Sequence, residues 1–303
     1  MLRWLDTLRP YRVFDKPVFI LAAPRSGSTF LFDLLCRFPE TWAGHAEMDD
    51  VWWRHFPFAR LPEPCDYVAA DQYTSAVGRG VRRDFYRGAL WAREERGARC
   101  GLRERVGGAR VRYLDKTIAN CFHIGFLAKA FPDACFIVLL RGAQATISSM
   151  MEGWGEPKRF VNREAQPYIN AADSTITQWC YAAPPGWRAM PSRPLVEVSA
   201  WSWRQHVETA ENDLRQVPQE QRLVVKYEEL MADLTGVARR VAEFCHLEWC
   251  SEVSAFIDNK PLSRTTVSAP QPDKWRRLHG REIERILPSI APMMARLGYD
   301  VRP

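Results

Sequence analysis

The chain has 303 residues, 47% of them hydrophobic and 26% charged, a balance that excludes a disordered or fibrous polypeptide and leaves enough length for a sizeable core. No run approaches the roughly 18 to 20 apolar residues of a membrane span, and Met1 to Pro10 is broken by charge, so neither a signal peptide nor an anchor is expected and the chain is expected in the cytoplasm. The net charge of +6 favours an anionic partner. The arginine-dense stretch from Arg79 to Arg112 is not read as a single-strand groove, and no nucleic acid is expected. Eight cysteines (36, 65, 100, 121, 135, 180, 245 and 250) form no CxxC pair; several, such as Cys135 within Cys135 to Leu140, read as reduced, buried thiols, and no metal site is expected among them.

In chain order, Lys16 to Ala23 is a short apolar run flanked by prolines, the pattern of a strand buried on both faces of a parallel sheet. After the turn Pro24-Arg-Ser-Gly27, apolar residues at 31, 34, 35 and 38 mark a helix ending at Pro39. A second strand at Val111 to Leu114 turns at Asp115-Lys-Thr117 into a helix through Phe131. A third, Cys135 to Leu140, ends at Arg141-Gly142 before a helix carrying Ser148 and Ser149. A fourth, Arg222 to Tyr227, precedes a helix from Glu228 to about Cys245. Four strand–turn–helix units in succession predict an α/β doubly wound parallel sheet flanked by helices, with ligands at the carboxyl ends of the strands. Residues 1–303 read as a single domain. Its one long interruption, about 152–194, is rich in proline, glycine and tryptophan and is expected to be a functional insertion or lid. Beyond it, Val196, Ala200, Trp203, Val207, Ala210, Leu214 and Val217 form a helical stripe expected in the core.

Ala22 to Thr29 occupies the place of a phosphate-binding loop between a buried strand and a helix. It keeps Gly27 and Thr29 of the nucleotide-triphosphate pattern, but Ser28 stands where that pattern has its lysine. The N–H groups of Ser26, Gly27, Ser28 and Thr29 at a helix start form an anion cradle, and Arg25 supplies a cation from the other side. This arrangement disfavours a nucleotide kinase or NTPase and weakens any requirement for Mg²⁺. A second anion site is expected where Arg141 ends a buried strand and Ser149 follows two helical turns later. Lys116, just past the second strand, is expected to emerge at the same edge.

Pro24-Arg-Ser-Gly-Ser-Thr29 with Arg141 and Ser149 resembles the PAPS-dependent sulfotransferases, and most closely the tyrosylprotein sulfotransferase branch and its bacterial relatives. The similarity continues through Phe131 to Arg141, Val225 to Leu230, and Ser263 to Ser268 followed by Asp273-Lys-Trp275. Two positions depart from it: Gly142 replaces a usual aspartate, and Gly153 replaces a further phosphate-binding arginine of that branch.

The resemblance implies PAPS as cofactor with PAP as product. It assigns Arg25 and Ser26 to Thr29 to the 5′-phosphosulfate, and Arg141 and Ser149 to the 3′-phosphate. Tyr227 is implied near the cofactor. A cofactor-closing loop is implied at about 261–275, with Ser263, Thr265, Thr266 and Lys274 as its contacts. Arg25 and Lys116 are the candidate cations on the leaving 5′-phosphate; the resemblance further implies Lys116 on the transferring group and Glu47 of Gly44-His-Ala-Glu47 as the base. His45, two residues away on the same face of an extended segment, stays open as an alternative base, and so does a plain helix-start carboxylate for Glu47. Trp52, Trp53, Phe56, Trp154 and Trp187 are expected to supply apolar or ring surface for a small-molecule, peptide or glycan acceptor. A noncatalytic nucleotide binder also remains open.

Overall fold

The computed structural model describes residues 14–44, 47–60, 63–97, 99–101, 110–164, 176–271 and 273–301. Five parallel strands form the central sheet: β1 (Val18–Leu21), β2 (Thr41–Ala43), β3 (Arg112–Asp115), β4 (Cys135–Leu140) and β7 (Arg222–Lys226), in the order β2-β3-β1-β4-β7. A separate antiparallel pair joins β5 (Val161–Glu164) to β6 (Gln178–Cys180). The four expected strands are present. The short edge strand β2 has no apolar run long enough to betray it.

The continuous apolar runs have a direct structural cause. In β1, Val18 and Ile20 face one side of the sheet while Phe19 and Leu21 face the other, and all four are buried. In β4, Cys135, Ile137 and Leu139 alternate with Phe136 and Val138 in the same way. A sheet covered on both faces leaves no polar side for alternation to reveal. On the Val18 face lie α1 (Ser28–Leu35), α9 (Leu234–Phe244) and α10 (Ser251–Asn259). On the Phe19 face lie α3 (Ser75–Glu95) and α4 (Ile124–Ala130), with the short α2 (Asp49–His55) packed on α3. A third cluster joins α5 (Ala143–Trp154), α7 (Leu195–Leu214) and α11 (Lys274–Arg296). The expected stripe from Val196 to Val217 is buried throughout.

Two helical expectations are corrected. The segment after β3 starts as a 3₁₀ turn at Ile118–Phe122 before α4. The helix expected from Glu228 to Cys245 is broken into α8 (Tyr227–Ala232) and α9, because Asp233 leaves helical geometry and its carboxylate accepts from the Gly236 N–H at 2.8 Å as a fresh N-cap. Between α5 and α7, the short α6 (Pro157–Phe160) leads into the β5–β6 ribbon. Trp179 and Trp187 are fully buried there, with Trp179 Nε1 donating to the Ala182 carbonyl.

Strand order positions the site. The chain runs from β1 outward to β2, returns to β3, then crosses to β4 on the other side of β1. The connections therefore diverge at the carboxyl end of β1, opening a crevice there. Register does the rest. Phe19 pairs with Asp115, so Lys116 follows at the sheet edge; Leu140 pairs with Lys226, so Arg141 and Tyr227 leave their strands side by side.

Two histidines buried in this frame make stability depend on pH. His206 Nδ1 donates to the Ser202 carbonyl (2.8 Å) and the ring packs on Phe122; burial pushes its pKa down to about 4, and burial pushes His123 down to about 3. The folded state keeps both neutral, while an unfolded histidine takes a proton below about pH 6.5. The unfolded chain therefore binds more protons, and stability falls as pH drops from about 6.5 towards 4. Asp115, raised to about 6 by burial despite hydrogen bonds from Asn120 and Thr117, acts in the opposite sense below that pH. Urea midpoints measured from pH 7 to pH 4.5 should decline less steeply in His206→Gln than in the parent chain. An unchanged slope would show that His206 is not held neutral.

Candidate active site

The turn after β1 is shaped for an anion. Arg25 sits at φ +67° and Gly27 at φ +92°, and Phe30 and Leu31 donate back to the Gly27 carbonyl to start α1. A Cβ on Gly27 would meet the Tyr227 ring at 2.5 Å, so glycine is required both by the left-handed backbone and by the approach of α8. The first N–H groups of α1 point out of the helix without partners in the ladder, the usual anion-binding end.

Arg25, Arg141 and Ser149 meet here. Arg25 Nε donates to Ser149 Oγ at 3.3 Å and its NH1 to the Thr265 carbonyl at 2.8 Å, while its guanidinium lies 4.7 Å over Phe160. Arg141 donates to the Arg25 carbonyl at 2.9 Å and lies 4.6 Å over Tyr227. The residues of the two expected anion sites, separated in sequence, thus adjoin, with Arg25 directed toward Ser149. Burial lowers the Arg25 pKa; nearby Tyr181 works against this, and the like charges of Arg141 and Arg159 add to it. Concentrated positive charge in a partly dehydrated crevice favours a bound anion.

On the other side of the turn, Lys116 is almost fully buried. Its Nζ donates to Glu47 Oε1 at 2.7 Å, with side-chain exposures of 3% and 36% respectively. Glu47 is thus more open to water than a base enclosed in a pocket. Thr117 Oγ1 accepts from the Met48 N–H at 2.7 Å, fastening the residue after Glu47 to the residue after Lys116. His45 lies outside the described residues.

A cavity of about 790 Å³ collects these groups. Arg25, Gly27, Ser28, Thr29, Glu47, Lys116, Arg141, Ser149 and Tyr227 line it, and so do Ser263, Thr265, Thr266 and Lys274 from the other rim. Ser26 does not; it is buried beneath the turn, its N–H on the Ala23 carbonyl. The rim segment is tied down by several contacts. Arg159 donates to the carbonyls of Arg264 and Thr266, and Ser263 and Thr265 share a hydrogen bond. Lys274 meets Glu152 Oε2 at 2.8 Å, and Ser268 donates to the other oxygen. Burial alone would raise the Glu152 carboxyl, but these hydrogen bonds outweigh it and hold the carboxyl below its ordinary range.

The expected aromatic acceptor wall is not formed. Trp52 and Trp187 are buried in core clusters, Trp154 packs on Trp179, Phe56 packs on Phe126, and none of these nor Trp53 lines the cavity. The buried tryptophans, Trp52 in α2 and Trp187 in the long insertion, serve packing, the ordinary use of large apolar rings.

Both departures from the expected pattern have local explanations. The Gly142 N–H is capped by Glu228 Oε1 at 2.9 Å, and Tyr299 donates to Glu228 Oε2, so a carboxylate arrives from α8 instead. At Gly153, a Cβ would collide with the Tyr181 hydroxyl, which donates to the Met150 carbonyl. The nearby Arg159 does not line the cavity, and its guanidinium is held on the rim carbonyls of Arg264 and Thr266. Sequence reasoning missed Glu152, Phe160, Arg159 and Tyr181. Glu152, one turn beyond Ser149 on α5, carried a helical-spacing signal; the other three sit around a strand ribbon with no such pattern. Among the described residues there is no group of three or more His, Cys, Asp or Glu able to hold a metal, and no helix long and apolar enough to cross a membrane.

The fold is similar to that of the sulfotransferase domain from the curacin biosynthetic pathway, at 14% identity and a TM-score of 0.52, covering 94% of this chain and 98% of that one. Also similar are the sulfotransferase domain of the Synechococcus PCC 7002 olefin synthase (17% identity, TM-score 0.49, 95% and 96% covered) and a sulfotransferase from Alicyclobacillus acidocaldarius (18%, 0.47, 94% and 97%). A sequence model described as the sulfotransferase family matches residues 17–199 and 170–251. By that match, over most of its length, the chain belongs to the sulfotransferase family, the PAPS-dependent enzymes that its phosphate turn resembles.

Proposed function

We propose that this enzyme moves the sulfuryl group of PAPS to an acceptor hydroxyl or similar nucleophile by in-line transfer, with Glu47 as base. What supports the reading is the convergence on one cavity of an anion-binding helix start, a buried lysine and a carboxylate paired with it. The donor fits the residues present. A cradle that a Cβ would fill lies beside a cluster of three guanidinium groups, and Lys116 is a buried cation with a single hydrogen-bonded carboxylate. When bound, PAPS supplies the sulfuryl group and a phosphate as leaving group.

The α1 N–H groups from Gly27 to Thr29 would hold the 5′-phosphate. Arg141 and Ser149 would hold the 3′-phosphate, and Arg25, which reaches Ser149 from the turn, would stand between that site and the 5′-phosphosulfate. Ser26 would act from beneath, by fixing the turn. Tyr227 would serve as the ring on which Gly27 and Arg141 rest. Ser263, Thr265, Thr266 and Lys274 would close the far rim, Lys274 through Glu152. Lys116 would present positive charge where charge develops during transfer, and fixed charge of that kind requires no reorganisation. Glu47, held at 2.7 Å from that ammonium, would take the acceptor proton. A location in the cytoplasm and independence from metals belong to the same reading.

Three outcomes test it. Glu47→Gln should lower sulfuryl transfer by about 10² to 10⁴ while leaving the dissociation constant of PAP unchanged, since glutamine keeps an oxygen for Lys116 but cannot accept a proton. If Glu47→Gln retains turnover and His45→Ala loses it, the base is His45. PAP should raise the melting temperature more than AMP does, by an increment that Arg141→Ala removes; equal shifts with AMP and PAP would eliminate the 3′-phosphate site. Turnover should persist in EDTA because Lys116, Arg25 and the helix start provide the positive charge, and complete loss restored by Mg²⁺ would refute this.

A further inference from the structure

A second cavity, of about 430 Å³, opens between α1, the chain after β2 and the end of α3. Four arginines reach it, Arg37, Arg93, Arg96 and Arg264, against the carboxylates of Asp33 and Glu95. Arg264 spends one donor on Asp33 Oδ1 at 3.1 Å, and Arg96 one on the Ala43 carbonyl at 2.8 Å. Arg93 lies 4.4 Å over the Trp42 ring, and its buried Nε has no hydrogen-bond partner among the described residues. A buried guanidinium donor left unmatched is costly unless a ligand meets it. Guanidinium groups in this number, each with donors in a planar fork, are suited to a carboxylate, sulfate or phosphate.

The position of the cavity says which molecule would bring that anion. Gly44 lines it, three residues and so at most about 11 Å of chain before Glu47. The charge of Lys116 is felt at Asp33, whose carboxyl is raised chiefly by burial and lowered in part by Arg264 and Lys116. Arg264 projects here, while its neighbours Ser263 and Thr265 line the main cavity. The two cavities thus share α1, the segment leading to Glu47 and the rim loop.

We infer that the second cavity is an acceptor subsite, and that the preferred acceptor carries an anionic group in addition to the hydroxyl that receives the sulfuryl group. This deepens the sulfotransferase reading and rests on it. It also replaces the aromatic acceptor wall expected from sequence with a cationic one.

Calorimetric titration of the PAP-saturated protein with 3-(4-hydroxyphenyl)propionate and with its neutral amide separates the two ideas. The carboxylate should bind at least about tenfold more tightly than the amide, the scale of a charge-assisted hydrogen bond. The preference should shrink in Arg93→Gln and in Arg37→Gln, while PAP binds every variant as it binds the parent. Arg37 is exposed, so its variant remains informative should Arg93→Gln fold poorly. Equal binding of acid and amide, binding of neither, or a preference intact in both variants would overturn the subsite and leave the PAP-binding reading standing. Failure of the parent chain to bind PAP would remove both.

Discussion

Lys116 carries its ammonium into a position with 3% side-chain exposure, and the carboxylate that meets it there, at 2.7 Å, is Glu47. A buried cation needs a partner, because losing one member of such a pair costs about 3 to 5 kcal/mol; the partial exposure of Glu47 puts this pair toward the lower end. The surroundings follow from that requirement. β3 must end where it does, so that Lys116 leaves the sheet beside β1. The chain after β2 must return to this edge, which Met48 secures through the Thr117 hydroxyl. Asp115, itself fully buried, is satisfied by Thr117 and Asn120 and thereby fixes the turn that aims its neighbour. Charge placed in this way stands at the carboxyl edge of the sheet, and the same pairing holds the Glu47 carboxylate in place.

A second constraint is electrostatic crowding. Burial lowers the Arg25 pKa, and the nearby like charges of Arg141 and Arg159 add to that effect. The fold tolerates this by giving each guanidinium a carbonyl or a ring: Thr265 and Phe160 for Arg25, the Arg25 carbonyl and Tyr227 for Arg141, and the rim carbonyls for Arg159. Such contacts orient the donors without neutralising them. An arriving anion therefore meets preorganised positive charge, and the rim loop is already attached to the residues that would hold that anion.

Much of this could be read in the sequence. The four long strands showed as apolar runs because both faces of the sheet are covered, and the turn at Pro24 to Thr29 showed because Gly27 and the helix start lie in adjacent positions. Arg141 and Ser149 were legible through strand end and helix spacing. Other features were not. The β2 strand is three residues long, the break at Asp233 depended on a cap within an otherwise helical pattern, and the partnership of Arg25 with Ser149 joins residues 124 apart. Composition misled at the tryptophans, since an aromatic ring offers the same signal whether it lines a pocket or fills a core. Glu228 capping the Gly142 N–H, and the Tyr181 hydroxyl closing the space at Gly153, are features that only three-dimensional proximity reveals.

The central claim is that the crevice beside β1 binds a nucleotide by both of its phosphates, and that Lys116 then serves the transferring group as well as Glu47. A crystal structure of the PAP complex tests it most directly. The account predicts one phosphate on the N–H groups of Gly27 to Thr29 and the other between Arg141 and Ser149, with Lys116 Nζ within hydrogen-bonding reach of the 5′-phosphate. Nucleotide bound elsewhere, or a 5′-phosphate remote from Lys116, would contradict it.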